Sequence, residues 1–108
     1  MIGQGRTFVK NDERRFDEEM RRYCDEARSL GYFPSDFLGM LDRYGAVAVA
    51  KKLIMSGDLQ TGLRKLAKMK RLDLSIESLM LEPGFRHLFS KNELASAEFR
   101  LRMAETEV

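Results

Sequence analysis

The stretch from Arg71 to Leu94 constrains this chain more than any other, because it holds two helix starts and one forced helix stop. Ser75 suits an N-cap, since its hydroxyl can accept from the free N–H groups of the turn that follows. Leu74 before that cap and Leu79 four positions beyond it are placed as a hydrophobic staple. Pro83 must end the helix, because it lacks an N–H and pushes Glu82 out of the α region. Gly84 then permits a turn into Phe85, Leu88 and Phe89, which read as one short helical turn. Ser90 and Glu93 have the spacing of a capping box, each side chain serving a backbone donor of the other, with Phe89 and Leu94 at the staple positions. These signals predict helices packed over an apolar surface. They specify structure and carry no chemistry.

The same residues carry a resemblance. The run Arg71-Leu-Asp-Leu-Ser-Ile-Glu-Ser-Leu-Met-Leu81, followed by Pro83, Phe85, Leu88, Phe89, Glu93, Leu94 and Ala97, resembles a small helical module of uncharacterised bacterial proteins. The upstream run Tyr44-Gly-Ala-Val-Ala-Val-Ala-Lys-Lys-Leu53 extends it, so that the likeness spans residues 35 to 103. It implies a bacterial or phage-related source and an all-helical fold. It implies no activity, cofactor or site residue.

At 108 residues the chain has room for one modest core, and the expected fold is all-α, a compact bundle of five or six short helices. Residues 1–10, with Gly3 and Gly5 close together, read as a flexible lead to a single helical domain over 11–104, and 105–108 as a frayed acidic tail. The opening residues lack a long apolar core, so neither a signal peptide nor a membrane anchor is expected, and no apolar run approaches the ~20 residues of a bilayer span. The single cysteine, Cys24, excludes an intrachain disulfide and fits a reducing, cytoplasmic setting.

Asn11 is placed to cap a first helix, with Asp12 and Glu13 at the positive end of its dipole. Phe16, Met20, Tyr23, Ala27 and Leu30 then recur every three or four residues as a narrow apolar seam, and Gly31 stops the helix. That seam predicts either docking on the chain's own core or pairing between chains. A second helix begins at Ser35 or Asp36, turns Phe37, Leu38, Met40, Leu41 and Tyr44 inward, and breaks at Gly45. A third follows over 46–55. Ser56, Gly57 and Asp58 signal a turn, after which Thr61 is placed to cap a fourth helix bearing Leu63, Leu66 and Ala67 inward. The last helix turns Leu94, Ala97, Leu101 and Ala104 inward. Phe99 and Met103 fall on a different face, where they either widen the core contact or meet a partner.

No catalytic constellation is legible. Cys24 with His87 is the sole nucleophile–base pair on offer, and no nucleophile motif surrounds either residue. One cysteine and one histidine cannot close a tetrahedral zinc site, and neither a phosphate loop nor a dinucleotide fingerprint is present. No catalytic residue, metal or cofactor is therefore expected.

Charge points to partners instead. Lys51, Lys52, Arg64, Lys65, Lys68, Lys70 and Arg71 form a basic segment containing one acid, Asp58, in a chain of net charge +2. These residues are the candidates for gripping phosphates or an acidic protein. The third helix opens Ala-Val-Ala-Val-Ala, which offers no polar side chains to read base edges, so a helix-turn-helix reader is disfavoured. The expected role is a small non-enzymatic protein-interaction module, a regulator or inhibitor of a larger complex, as monomer or homodimer. Phe16, Met20, Tyr23, Phe99 and Met103 are its candidate contacts. The alternative is a nucleic-acid-binding accessory protein using the basic 51–71 segment.

Overall fold

A computed structural model describes residues 3–56 and 61–107. Six α-helices follow one another: α1 (Gly3–Ser29), α2 (Ser35–Tyr44), α3 (Ala46–Ile54), α4 (Thr61–Lys68), α5 (Ile76–Met80) and α6 (Lys91–Glu107). Single 3₁₀ turns at Leu72–Leu74 and Arg86–Leu88 flank α5, and no strand occurs among the described residues. The expected all-α bundle is the fold observed.

The Arg71–Leu94 stretch folds as its capping residues dictate. The Ser75 hydroxyl accepts from the Ser78 N–H at 3.1 Å, starting α5. Leu81 closes that helix two residues before Pro83, and the Phe85 N–H then donates to the Glu82 carbonyl at 2.9 Å. At the head of α6 the capping box is complete: the Ser90 N–H donates to Glu93 Oε1 at 2.8 Å, and the Glu93 N–H to Ser90 Oγ at 3.1 Å. Burial opposes the charge on Glu93. The Ser90 N–H and then the Lys51 ammonium outweigh it, holding this carboxyl below the usual carboxylate range.

The seam of α1 docks on the chain's own core. Phe16 is fully buried, its ring 5.4 Å from that of Phe85 in an edge-to-face pair and 5.3 Å from that of Phe89. Met20, Cys24 and Ala27 are buried behind it, whereas Leu30 at the end of the seam is half exposed. Phe16 and Met20 are therefore core residues and not partner contacts, a correction that follows from the two phenylalanines of the Arg71–Leu94 stretch closing over them. Tyr23 is only partly buried against the same core. Tyr44, expected inward, is half exposed because Gly45 turns the chain there and Lys52 lies over its ring instead.

Helix α1 also begins earlier than its capping signal suggests. Asn11 lies inside the helix, its side chain accepting from Arg14 at 3.4 Å, and the helix runs back to Gly3 through the residues read as a lead. No proline interrupts residues 3–10, so nothing in the backbone obliges the helix to start at the cap. At the other terminus α6 passes Ala104 and continues to Glu107. Gly57 and Asp58 of the predicted turn, and the capping side chain of Thr61, lie outside the described residues.

Two junctions rest on left-handed backbone. Gly31 (φ 100°) closes α1 with the Tyr32 N–H on the Ala27 carbonyl at 2.9 Å and its own N–H on the Arg28 carbonyl at 3.0 Å. Residues 66–71 repeat this arrangement with Lys70 (φ 60°) in the glycine position: the Arg71 N–H reaches the Leu66 carbonyl at 2.8 Å and the Lys70 N–H the Ala67 carbonyl at 3.0 Å. An L-residue there costs roughly 1–2 kcal/mol, partly offset in a glycine variant by the looser unfolded chain. Lys70→Gly should therefore raise stability by up to about 1 kcal/mol, or about 4 °C in Tm. A lower melting temperature would show that the lysine side chain contributes more than its backbone costs.

Helix α3 is positioned from outside itself. Gly45 (φ 79°, ψ 155°) adopts a conformation open essentially only to glycine, and the Ala46 N–H beyond it donates to Asp17 Oδ1 of α1 at 2.9 Å. The other Asp17 oxygen accepts from Arg21 at 2.7 Å, and Arg21 reaches Asp42 of α2 at 2.9 Å. One carboxylate thus caps α3 from α1, and its arginine partner ties in α2. With Ala46, Val49, Ala50 and Ile54 buried, α3 packs against α1, α2 and α6. Its exposed side carries Ala48, Lys52 and Met55, with Lys52 over the Tyr44 ring, which offers little to read base edges.

Candidate interaction surfaces

The cysteine–histidine pair is not assembled. His87 Nε2 lies 2.7 Å from Asp12 Oδ2, near the first described side chains of α1, while Cys24 sits twelve residues further along the same helix. At 1.5 Å per residue that separation is about 18 Å. Burial, reinforced by Asp25, pushes the Cys24 thiol up to about 11, so it is protonated at neutral pH. A thiol reagent should accordingly label Cys24 slowly at neutral pH in the native protein and much faster after denaturation. Rapid, stoichiometric labelling without denaturant would show an accessible thiolate instead. Among the described residues no group of three or more His, Cys, Asp or Glu is placed to hold a metal ion, and no helix is long and apolar enough to cross a membrane.

A cleft of about 390 Å³ opens beside Cys24, with Met20, Tyr32, Phe37, Leu53 and Leu66 among its walls. Its lining comes from α1, the 32–36 connector, α2, α3 and α4. Burial raises the pKa of both the Tyr23 and Tyr32 phenols, so they stay neutral hydrogen-bonding groups at this wall.

The basic segment divides into parts. Lys51 Nζ binds Glu93 at 2.9 Å and lies over the Phe89 ring, at the start of α6. Lys52 stacks on Tyr44, and Lys65 on Tyr32, at 4.1 and 5.3 Å from the ring centres. Arg71 binds Asp73 at 3.0 Å and Glu26 at 2.9 Å, contacts that raise the guanidinium's pKa and, from Arg71, hold the Asp73 carboxyl below its usual range. Arg64, Lys65 and Lys68 share one side of α4, and Lys68 and Lys70 are exposed. Leu63 and Ala67 of α4 pack with Ala104, eleven residues beyond Glu93 on α6. The α4 cluster and Lys51 are thereby separated by about 16 Å along α6, so the segment does not form one surface.

Helix α6 presents a different surface. Ala97 and Ala104 are fully buried and Leu94 and Leu101 partly so, as their spacing predicts. On the opposite side Ala95, Phe99 and Met103 follow at intervals of four, all exposed, with Phe99 at 55% and Met103 at 38%. The outer side of the helix thus mixes these three apolar residues with exposed Asn92 and Thr106. Phe99 and Met103 stand exposed on the side of α6 away from the buried Ala97 and Ala104.

Two features escape sequence reasoning. Arg100 is buried against Glu77 of α5, Nε to Oε2 at 2.8 Å, although both residues look like ordinary surface charges. Asp17 likewise looks like one member of a charged helix face until α3 is brought to it. Neither has a local signal, whereas the Ala95–Phe99–Met103 line could have been found from its spacing of four.

No family model matches the chain, and neither a curated protein nor a solved structure matches it.

Proposed function

We propose that this protein is a small protein-interaction module, a regulator or inhibitor of a larger complex, that docks through the outer side of α6. The observation supporting this reading is the exposed line Ala95–Phe99–Met103, held on a helix whose other side is fastened into the core. Large aromatic and thioether side chains in the open suit the centre of a protein interface, and a helix face fixed by capping and packing loses little entropy on binding. The test is affinity capture from an extract of the source organism, comparing the native chain with Phe99→Glu/Met103→Glu. Proteins retained by the first and lost from the second, at unchanged melting temperature, are the expected result. An identical set on both would overturn the reading.

A second reading, nucleic-acid binding, is supported by Arg64, Lys65 and Lys68 lying on one side of α4 with Lys70 beyond them. It requires affinity that falls with salt at about −0.9 log units per phosphate contacted on duplex DNA. Glutamine at these four positions should then abolish binding, while binding no tighter than ~10⁻⁴ M near physiological salt would exclude it.

A further inference from the structure

The residues beside the apolar line of α6 have an order that the line alone does not require. At 100° per residue, Lys91, Glu98, Arg102 and Glu105 all fall on one flank of Ala95, Phe99 and Met103, and Ser96 falls on the other. All four charged residues are exposed. Glu98 and Arg102 stand four apart on one helix, yet they form no ion pair with each other or with any other described residue.

Two antiparallel copies of such a helix, related by a twofold axis through Phe99, bring like flank against like flank. Ala95 and Met103 are each four residues from Phe99, so the small side chain of one copy lies opposite the large one of the other. On the charged flank Glu98 lies opposite Arg102 of the second copy, and Lys91 opposite Glu105. The symmetry repeats each contact, giving four pairs of opposite charge against one of like charge, Glu98 facing its own copy across the axis with Arg102 of the second copy beside it. A parallel pairing would set this charged flank against the Ser96 flank of the second copy and leave the four charges without partners. From this match we infer that the protein self-associates through an antiparallel, twofold pairing of α6, Phe99 packing on Phe99 and Glu98 facing Arg102.

This inference rests on the interaction reading and names the partner as a second copy of the chain. One helix side per chain is a small contact, below the ~1,200 Å² of a standard interface, so the dimer is a weak and reversible one. Exchange with a tighter partner at the same face is then open to it.

Sedimentation equilibrium of the full chain from roughly 1 to 500 µM, a range suited to a contact of this size, is the experiment. The native protein should show a reversible monomer–dimer equilibrium. Phe99→Glu, on an exposed position, should weaken it at least about a hundredfold with the melting temperature unchanged. Glu98→Arg, which sets two arginines against each other twice, should weaken it about tenfold. Glu98→Arg/Arg102→Glu, which inverts every such pair, should restore the native constant to within about threefold. A native chain that stays monomeric throughout overturns the inference, as does a dimer indifferent to Phe99→Glu. A dimer lost in Glu98→Arg and not recovered by the double reversal overturns the antiparallel register. If the chain is monomeric while capture of another protein still depends on Phe99 and Met103, self-pairing alone fails and the interaction reading stands.

Discussion

Replacing Arg100 with methionine is expected to destabilise the protein by about 3–5 kcal/mol, a large share of the ~5–15 kcal/mol that holds a domain of this size together. Arg100 and Glu77 are each about 95% removed from water, and the 2.8 Å contact between them joins α6 to α5. Neither charge gains much from water at that depth, so each depends on the other. Removing the guanidinium leaves a carboxylate buried on α5 with its main counter-charge gone. The companion variant Glu77→Leu/Arg100→Met removes both charges and should be markedly more stable than the single one. Chemical denaturation of the two variants checks this. A single variant costing under about 1 kcal/mol, or a double variant no better than the single, would show that the pair is not closed to solvent.

Phe16→Ala is the second large effect, expected at about 3–5 kcal/mol. Its ring is fully buried between Phe85 and Phe89, the two residues that the Pro83–Gly84 break and the short 3₁₀ turn deliver to α1. The loss combines the apolar surface returned to water, the missing edge-to-face contact and a cavity that three separate segments cannot close together. Phe16→Leu should cost clearly less, because it fills most of that volume. Equal losses in both variants would place the effect in the aromatic geometry rather than in the volume. A loss below about 1 kcal/mol in Phe16→Ala would mean that the α1 seam does not seal this core.

The helices themselves were legible in the chain because their signals are local. Ser75, Pro83 and the Ser90–Glu93 box act on N–H groups within a turn of themselves, so no distant residue is needed to interpret them. Spacing also identified the inward side of α6 and set Phe99 and Met103 apart from it. Where spacing alone was ambiguous, the tertiary structure chose. A seam such as Phe16–Met20–Tyr23 fits a partner helix or a core equally well, and only the arrival of Phe85 and Phe89 from seventy residues away decides for the core.

Charge was the least legible property. A carboxylate on a helix looks the same in sequence whether it faces water, caps another helix as Asp17 does, or is enclosed with an arginine as Glu77 is. The same holds for the basic segment, where Lys51 and Arg71 bind acids from other elements while Lys68 and Lys70 remain exposed. The sequence by itself determined an all-α bundle of five or six helices and most of their inward sides, because backbone capping and residue spacing operate over a few positions. Which charges are enclosed, which seam is closed and which side of α6 is left open was decided only by the tertiary structure, because burial depends on elements far apart in the chain meeting in space.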